Sequence, residues 1–308
     1  MRWKKKGRIF KPDGQFDWVI SHGMLPVADH IKDDLFRIYF SGRDELNISR
    51  TGFIEIDINE PTKILHLSES PILDIGKLGS FDDNGVSPTW IVNYNDKKYL
   101  YYMGWNKGSK VRAAEVSGLA ISTDNGKSFQ RYSKAPIIDR TNLEPYTILV
   151  ISCIIIENGN WRMWYDSADY WISEELPRYN IKYAESTDGI HWKREGLVSV
   201  DYLYEGESRV SRASIIQDDG IWRMWYCYAV EKEGTKYYSG YKMGYAESND
   251  GYKFKRLDHQ TGIELSISGW DSTMICYPNV FKHKENIYML YCGNGYGKTG
   301  FGLAVLEE

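Results

Sequence analysis

Hydrophobic and polar positions in this chain follow short strand-like tracts rather than helical spacing. The tract Trp161-Arg162-Met163-Trp164-Tyr165 returns as Trp222-Arg223-Met224-Trp225-Tyr226. In each, large apolar residues alternate with a charged one, as on half-buried β-strands. An apolar run at 151–156 precedes the first tract across the turn Glu157-Asn158-Gly159-Asn160, and Asp218-Asp219-Gly220 precedes the second. Such Asn/Asp/Gly turns join antiparallel strands in hairpins. A further strand, Tyr183-Ala184-Glu185-Ser186 or Tyr245-Ala246-Glu247-Ser248, follows each tract.

With the aromatic tract as anchor, three looser copies emerge: Phe36-Arg37-Ile38-Tyr39-Phe40, Lys98-Tyr99-Leu100-Tyr101-Tyr102 and Ile287-Tyr288-Met289-Leu290-Tyr291. Each of the five copies lies roughly 13 or 14 residues after a shared point, at Pro26, Pro88, Ser152, Ala213 and Pro278. A small antiparallel sheet cannot bury both faces alone, and packing several radially about an axis solves that problem. The pattern predicts an all-β, five-bladed β-propeller with antiparallel four-stranded blades, and one domain over 1–308. No linker, low-complexity tract or shift in composition divides the repeats.

Charge narrows the partners. The formal net charge is −4, with both signs interspersed, which leaves no global footprint for nucleic acid. The basic cluster Lys4-Lys5-Lys6 with Arg8 reads as a solvated entry strand. No apolar run is long enough to span a bilayer and no signal-peptide pattern opens the chain, so neither membrane nor nucleic acid is an expected partner and the expected location is cytoplasmic. Cys153, Cys227, Cys276 and Cys292 lack metal-site or redox-motif spacing and read as packing residues of a reducing compartment. The sequence sets no oligomeric state.

Three turns carry a further signature. Ser122-Thr123-Asp124-Asn125-Gly126-Lys127-Ser128-Phe129 is an Asp box, and 186–192 and 248–254 are one residue shorter. Its mechanics are structural: the Asp accepts turn amides, the Gly supplies positive φ, and the aromatic closes the hairpin. With Ser41-Gly42-Arg43-Asp44, Phe81-Asp82-Asp83-Asn84-Gly85-Val86-Ser87-Pro88, the two Trp-Arg-Met-Trp-Tyr strands and Asn294-Gly295-Tyr296-Gly297, the chain resembles the five-bladed propeller glycosidases of families 32, 43 and 130. It looks most like their uncharacterised relatives that accompany bacterial surface-polysaccharide genes. That resemblance implies the fold and a carbohydrate ligand. The family 43 Asp-Pro of the first inner strand is replaced by Leu25-Pro26, and neither the family 32 motifs nor an intact family 130 pattern is present, so the acid and base do not carry over.

In a propeller the start of each innermost strand converges on one channel mouth, which directs attention to 21–26, 81–88, 144–152, 205–213 and 270–278. Glycosyl chemistry needs one protonated and one ionised carboxyl group. Asp83, Glu207 and Asp271 are the expected catalytic residues. His22, Asp82, Trp105, Glu205, Arg209, Arg212 and Trp270 are the expected substrate contacts, with His22 on a sugar hydroxyl, Trp270 against a sugar face and the arginines favouring an anionic group. Arg43 follows the first anchor strand, where it orients a loop or meets substrate, and Trp171 is a candidate binding wall. No cofactor is implied; several channel carboxylates are compatible with calcium, but no ligand pattern specifies it.

Two readings remain open. One is a glycosidase-like enzyme acting on an intracellular oligosaccharide, glycoconjugate precursor or activated sugar. The other is a non-catalytic propeller that binds carbohydrate or a biosynthetic partner.

Overall fold

The computed structural model describes residues 1–231 and 240–307. Its strands form five successive antiparallel groups of four. The first comprises β2 (Ser21–Lys32), β3 (Leu35–Arg43), β4 (Ser49–Asp57) and β5 (Ile64–Leu67); the second β6 (Gly85–Tyr94), β7 (Lys97–Lys107), β8 (Ala113–Ser122) and β9 (Gln130–Arg131). The third comprises β10 (Leu149–Glu157), β11 (Asn160–Trp171), β12 (Pro177–Ser186) and β13 (Lys193–Val200); the fourth β14 (Glu207–Asp218), β15 (Ile221–Val230), β16 (Lys242–Ser248) and β17 (Lys255–Arg256). Both chain ends build the last group, in which β1 (Arg2–Phe10) pairs with β20 (Phe301–Glu307), and β20 with β19 (Asn286–Cys292) and β18 (Cys276–His283).

The anchor tracts are the second strand of each group. Trp161, Trp164 and Trp225 are fully buried, because a strand flanked on both sides and packed on both faces has no solvent side. A separate apolar cluster fills each junction between consecutive groups. Tyr39 and Phe53 meet Val86 and Tyr102 between the first two, and Trp161 meets Tyr101 and Leu119 at the next junction. Trp164 meets Trp222 and Met224, Trp225 meets Met289 and Trp3, and Phe301 with Leu290 meets Phe40 and Ile38 of the first group. The leading strands β2, β6, β10, β14 and β18 contact one another in that order, and β18 contacts β2. No hydrogen-bonded sheet closes the circle among the described residues: the last group is a sheet of its own, joined to its neighbours through side chains and through the Trp3 amide, which donates to the Gly262 carbonyl at 2.8 Å. Two of the side-chain links are Ser214 Oγ accepting from the Val280 amide at 2.7 Å and Asn279 Oδ1 accepting from the Ala28 amide at 2.9 Å.

The Asp-box turns tie each group to the one before. Asp124 Oδ1 accepts the amides of Lys127 and Ser128 at 3.0 and 3.1 Å, and Asp188 Oδ1 those of Ile190 and His191 at 2.8 Å each. The turn glycine then presents its carbonyl to the previous anchor strand: Tyr39 Oη donates to Gly126, Tyr101 Oη to Gly189 and Trp164 Nε1 to Gly251. At Gly189, φ is +72° and a Cβ would stand 2.6 Å from the Trp161 ring, so both conformation and space demand glycine. Asp188→Ala removes the two amide bonds of the turn together with those to the Ser186 and His191 side chains, and is expected to lower stability by about 1–2 kcal/mol. Urea unfolding measures this.

Every leading strand is bulged at the shared point that its sequence copy predicts. The register slips between Met24 and Val27, Pro88 and Trp90, Ile151 and Cys153, Ser211 and Ser214, and Cys276 and Asn279. Leu25, Arg212 and Tyr277 adopt positive φ there, at 51°, 61° and 56°. Bulges redirect side chains, and non-glycine residues held at positive φ are a strain that surrounding packing sustains. All three side chains line one cavity.

Candidate functional site

That cavity, of about 290 Å³, receives side chains from all five groups. Its charged and polar lining comprises His22, Arg43, Arg112, Glu115, Asp166, Arg209, Ser211 and Arg212, and its aromatic wall is Tyr179, Tyr241, Tyr277 and Tyr296. Exposed Arg112 stands at the open rim, whereas Arg212 is 2 % exposed.

Asp166 is the buried carboxyl of the site. It follows the anchor tract on β11, opposite Val150 of β10. Ser152 Oγ donates to Oδ1 at 2.9 Å, Ser211 Oγ to Oδ2 at 2.8 Å, and the Arg212 backbone amide to Oδ1 at 3.0 Å. Burial raises its pKa to about 6 against the lowering effect of these bonds. Glu115, on β8, is half-buried and 3.9 Å from Arg112; its backbone carbonyl accepts the Ile148 amide of the next group. The cavity thus holds two carboxyl groups from neighbouring groups, one of them half-protonated near pH 6.

His22 lies on the other side of the sequence, at the start of β2. Burial, then the charges of Arg43 and Lys298, lower its pKa to about 4, so the imidazole is neutral at pH 7 and binds through hydrogen bonds. Its Nδ1 is 2.8 Å from Ser21 Oγ. The Tyr179 and Tyr241 hydroxyls meet at 2.5 Å, Tyr241 packs edge-on to Tyr296, and the Arg209 guanidinium lies over the Tyr241 ring at 5.0 Å.

Of the residues expected from sequence, His22, Arg209 and Arg212 line the cavity, as does Arg43. The expected catalytic trio does not come together there. Asp83 is half-buried and accepts the Gly79 amide at 2.8 Å as a turn cap. Glu207 is buried in a two-bond ion pair with Arg256, 2.8 Å at each oxygen, and also accepts the Leu203 and Tyr204 amides. Asp271 is buried against Lys5 at 2.7 Å and the Tyr291 hydroxyl at 3.2 Å. Of the expected substrate contacts, Asp82 pairs with Arg131 at 2.7 Å and accepts the Tyr102 hydroxyl. Trp105 donates to Ser49 Oγ at 3.0 Å, Glu205 is exposed in the turn before β14, and Trp270 stacks on Tyr291 at 5.3 Å.

Three of these placements, those of Asp82, Glu207 and Asp271, share one cause. A carboxylate ahead of the leading strand, or in the case of Glu207 at its first residue, is held by a cation on the outermost strand of its group: Asp82 by Arg131, Glu144 by Arg194, Glu207 by Arg256, Asp271 by Lys5. In three of the four, the last tyrosine of the anchor tract donates to the same carboxylate: Tyr102, Tyr165 and Tyr291. In the fourth, Tyr226 donates to Asp258, which shares Arg256 with Glu207. The first group has Phe40 at that position, without a hydroxyl, and Trp18 packs on it. The clamp is therefore a repeat feature that fastens each loop to its outer strand.

Sequence reading overlooked Asp166, Glu115, Arg112 and the tyrosines. One signal was available. The residue after the anchor tract is Ser41, Met103, Asp166, Cys227 or Cys292, and only Asp166 is acidic. Among the described residues no three His, Cys, Asp or Glu side chains gather as a metal cluster, and no helix is long and apolar enough to cross a membrane.

The fold is similar to that of solved glycoside hydrolases. A solved complex of BT0996 with RGII superposes with a TM-score of 0.76 at 19% identity, covering 99% of this protein and 91% of that one. A thermostable family-43 glycoside hydrolase superposes with a TM-score of 0.66 at 14% identity, covering 93% and 89%. At the level of sequence, the chain belongs to the family of the uncharacterized proteins MT1551 and Rv1502 of Mycobacterium tuberculosis strains CDC 1551 / Oshkosh and H37Rv. Each is 42% identical over 310 residues, covering 100% of both proteins compared. No family model matches the sequence.

Proposed function

We propose that this protein is a single-domain, five-bladed propeller that cleaves a glycosidic bond in the cavity shared by its leading strands. The observation that carries the reading is the pair Asp166 and Glu115 in one cavity, with Asp166 raised to about 6. Asp166, protonated in part at neutral pH, donates to the leaving oxygen. Glu115, 3.9 Å from Arg112, serves as base or nucleophile. Neutral His22 and the tyrosine hydroxyls bind sugar hydroxyls, and the ring faces of Tyr277 and Tyr296 carry the apolar face of the sugar. The four buried free thiols support a reducing compartment and hence an intracellular oligosaccharide, glycoconjugate precursor or activated sugar.

The test is release of reducing ends, or of a chromogenic aglycone, from a panel of neutral and acidic glycosides. Turnover is expected, and Glu115→Gln is expected to reduce kcat by about 10²–10⁴-fold. No hydrolysis across the panel, or turnover that Glu115→Gln leaves intact, would favour the carbohydrate-binding propeller instead.

A further inference from the structure

The cavity carries more positive charge than its own carboxylates answer. Arg112 faces Glu115 at 3.9 Å, and Arg209 meets Glu231 at 3.0 Å. Arg43 and Arg212 have no carboxylate within ion-pair distance among the described residues. Arg43 Nη1 donates to neutral Asn47 Oδ1 at 2.8 Å, and Arg212 Nη1 to the Thr89 carbonyl at 2.6 Å. Asp166 sits beside Arg212, but the bond between them comes from the Arg212 backbone amide.

The guanidinium atoms left over have a defined arrangement. Arg212 Nε and Nη2, together with Arg43 Nε, are buried without a hydrogen-bond partner among the described residues. Nε and Nη2 form one edge of the planar guanidinium, the edge that matches two oxygens of a carboxylate or phosphate. Leaving charged donors buried and unsatisfied costs stability, so a fold keeps them where a ligand completes them. Burial lowers the pKa of both arginines, outweighing the raising effect of Asp166 at Arg212 and of Tyr277 and Glu115 at Arg43. The strained φ of 61° at Arg212 fixes this side chain at the bulge of β14, on the cavity lining.

We propose that the cavity is specific for an anionic sugar unit, a uronate or a sugar phosphate, whose planar pair of oxygens is bound by Arg212 with Arg43 as the second cation. This rests on the reading of the cavity as a carbohydrate site and narrows its substrate class. The acidic group takes the unanswered positive charge, while the tyrosine wall and His22 receive the ring and its hydroxyls.

The experiment is calorimetric titration of the intact protein with glucuronic acid, galacturonic acid and glucose 6-phosphate, against glucose and galactose. The acidic sugars are expected to bind at least about 10-fold more tightly than their neutral counterparts. Uronates alone binding, phosphate alone, or both would each support the proposal and identify the anion. Arg212→Lys keeps the charge and loses the fork, and Arg43→Gln changes a less buried position. Each is expected to weaken acidic-sugar binding by about 10- to 100-fold, and by more than it weakens neutral-sugar binding. Thermal melting confirms that the titrated variants are folded, and Arg43→Gln keeps the test available if Arg212→Lys is not. Equal affinity for neutral and acidic sugars, no binding of any acidic sugar, or acidic binding that folded variants leave unchanged would overturn the proposal. Equilibrium binding needs no turnover. A protein that binds uronate and hydrolyses nothing retains this site and loses the glycosidase reading; one that hydrolyses only neutral glycosides does the reverse.

Discussion

Asp166→Asn is expected to reduce glycoside turnover by about 10²–10⁴-fold while the folded protein still binds sugar, because the amide fills the same space but has no acidic proton to give. Wild-type turnover is expected to fall as pH rises through about 6, where Asp166 loses that proton. A second readout is independent of substrate. The folded carboxyl titrates near 6 against an ordinary value of 3.8, so the folded state holds the proton more tightly than the unfolded chain. Well below 3.8 both states are protonated and the burial costs nothing; the cost grows as pH rises from about 3 to 6 and is nearly constant above. Two pKa units correspond to on the order of 3 kcal/mol. Asn carries no such dependence. Measured by urea unfolding at several pH values, wild type is expected to gain about 2 kcal/mol relative to Asp166→Asn between pH 7 and pH 4. A difference that stays flat across that window would place Asp166 outside the role argued for it.

Glu207→Gln is expected to behave in the opposite way, with a large loss of stability and little loss of activity. Glu207 is 3 % exposed, bonded through both oxygens to Arg256 and through Oε2 to two backbone amides. Removing its charge leaves Arg256 with Asp258 alone. Breaking a buried ion pair on one side typically costs about 3–5 kcal/mol, which in a chain of this length lowers the melting temperature by roughly 5 °C or more. Turnover per folded molecule, assayed well below the melting point, is expected to stay within about twofold of wild type. Lost turnover with unchanged stability would return Glu207 to the chemistry. Asp271→Asn is the milder companion, since Lys5, its cation, retains 25% side-chain exposure.

The contrast between these residues explains how much of the site was legible. Residues drawn to attention by recurring at the same point of each copy, Asp82, Glu207 and Asp271, are parts of a clamp that every copy except the first needs. Repetition in a pseudo-symmetric fold marks what each unit requires in order to stand. A ligand site at the shared axis needs different groups from each unit, so its residues are where the copies diverge. Asp166 replaces Ser, Met or Cys at its position, and Arg212 stands where the copies have Leu25 and Tyr277. Arg212 was visible in sequence because it directly precedes a shared point, whereas Glu115 and Tyr179, at the starts of third strands, fall outside the segments that reasoning from leading strands selects.

The sequence by itself determined the strands, their hairpin turns and their grouping, because alternation, Asn/Asp/Gly turns and the Asp boxes act over a few residues. It also determined the structural role of the box aspartates, whose partners lie within four positions in the chain. Which carboxylates face the cavity was decided only in the tertiary structure. Asp82 and Asp271 are each bound by a cation far along the chain, 49 and 266 residues away. Asp166 has no such cation and is held by Ser211 and Arg212, 45 and 46 residues on. Whether a buried carboxyl is an anion in an ion pair or an acid with a raised pKa depends on what the fold brings within a few ångströms of it, and neither local pattern nor composition carries that distance.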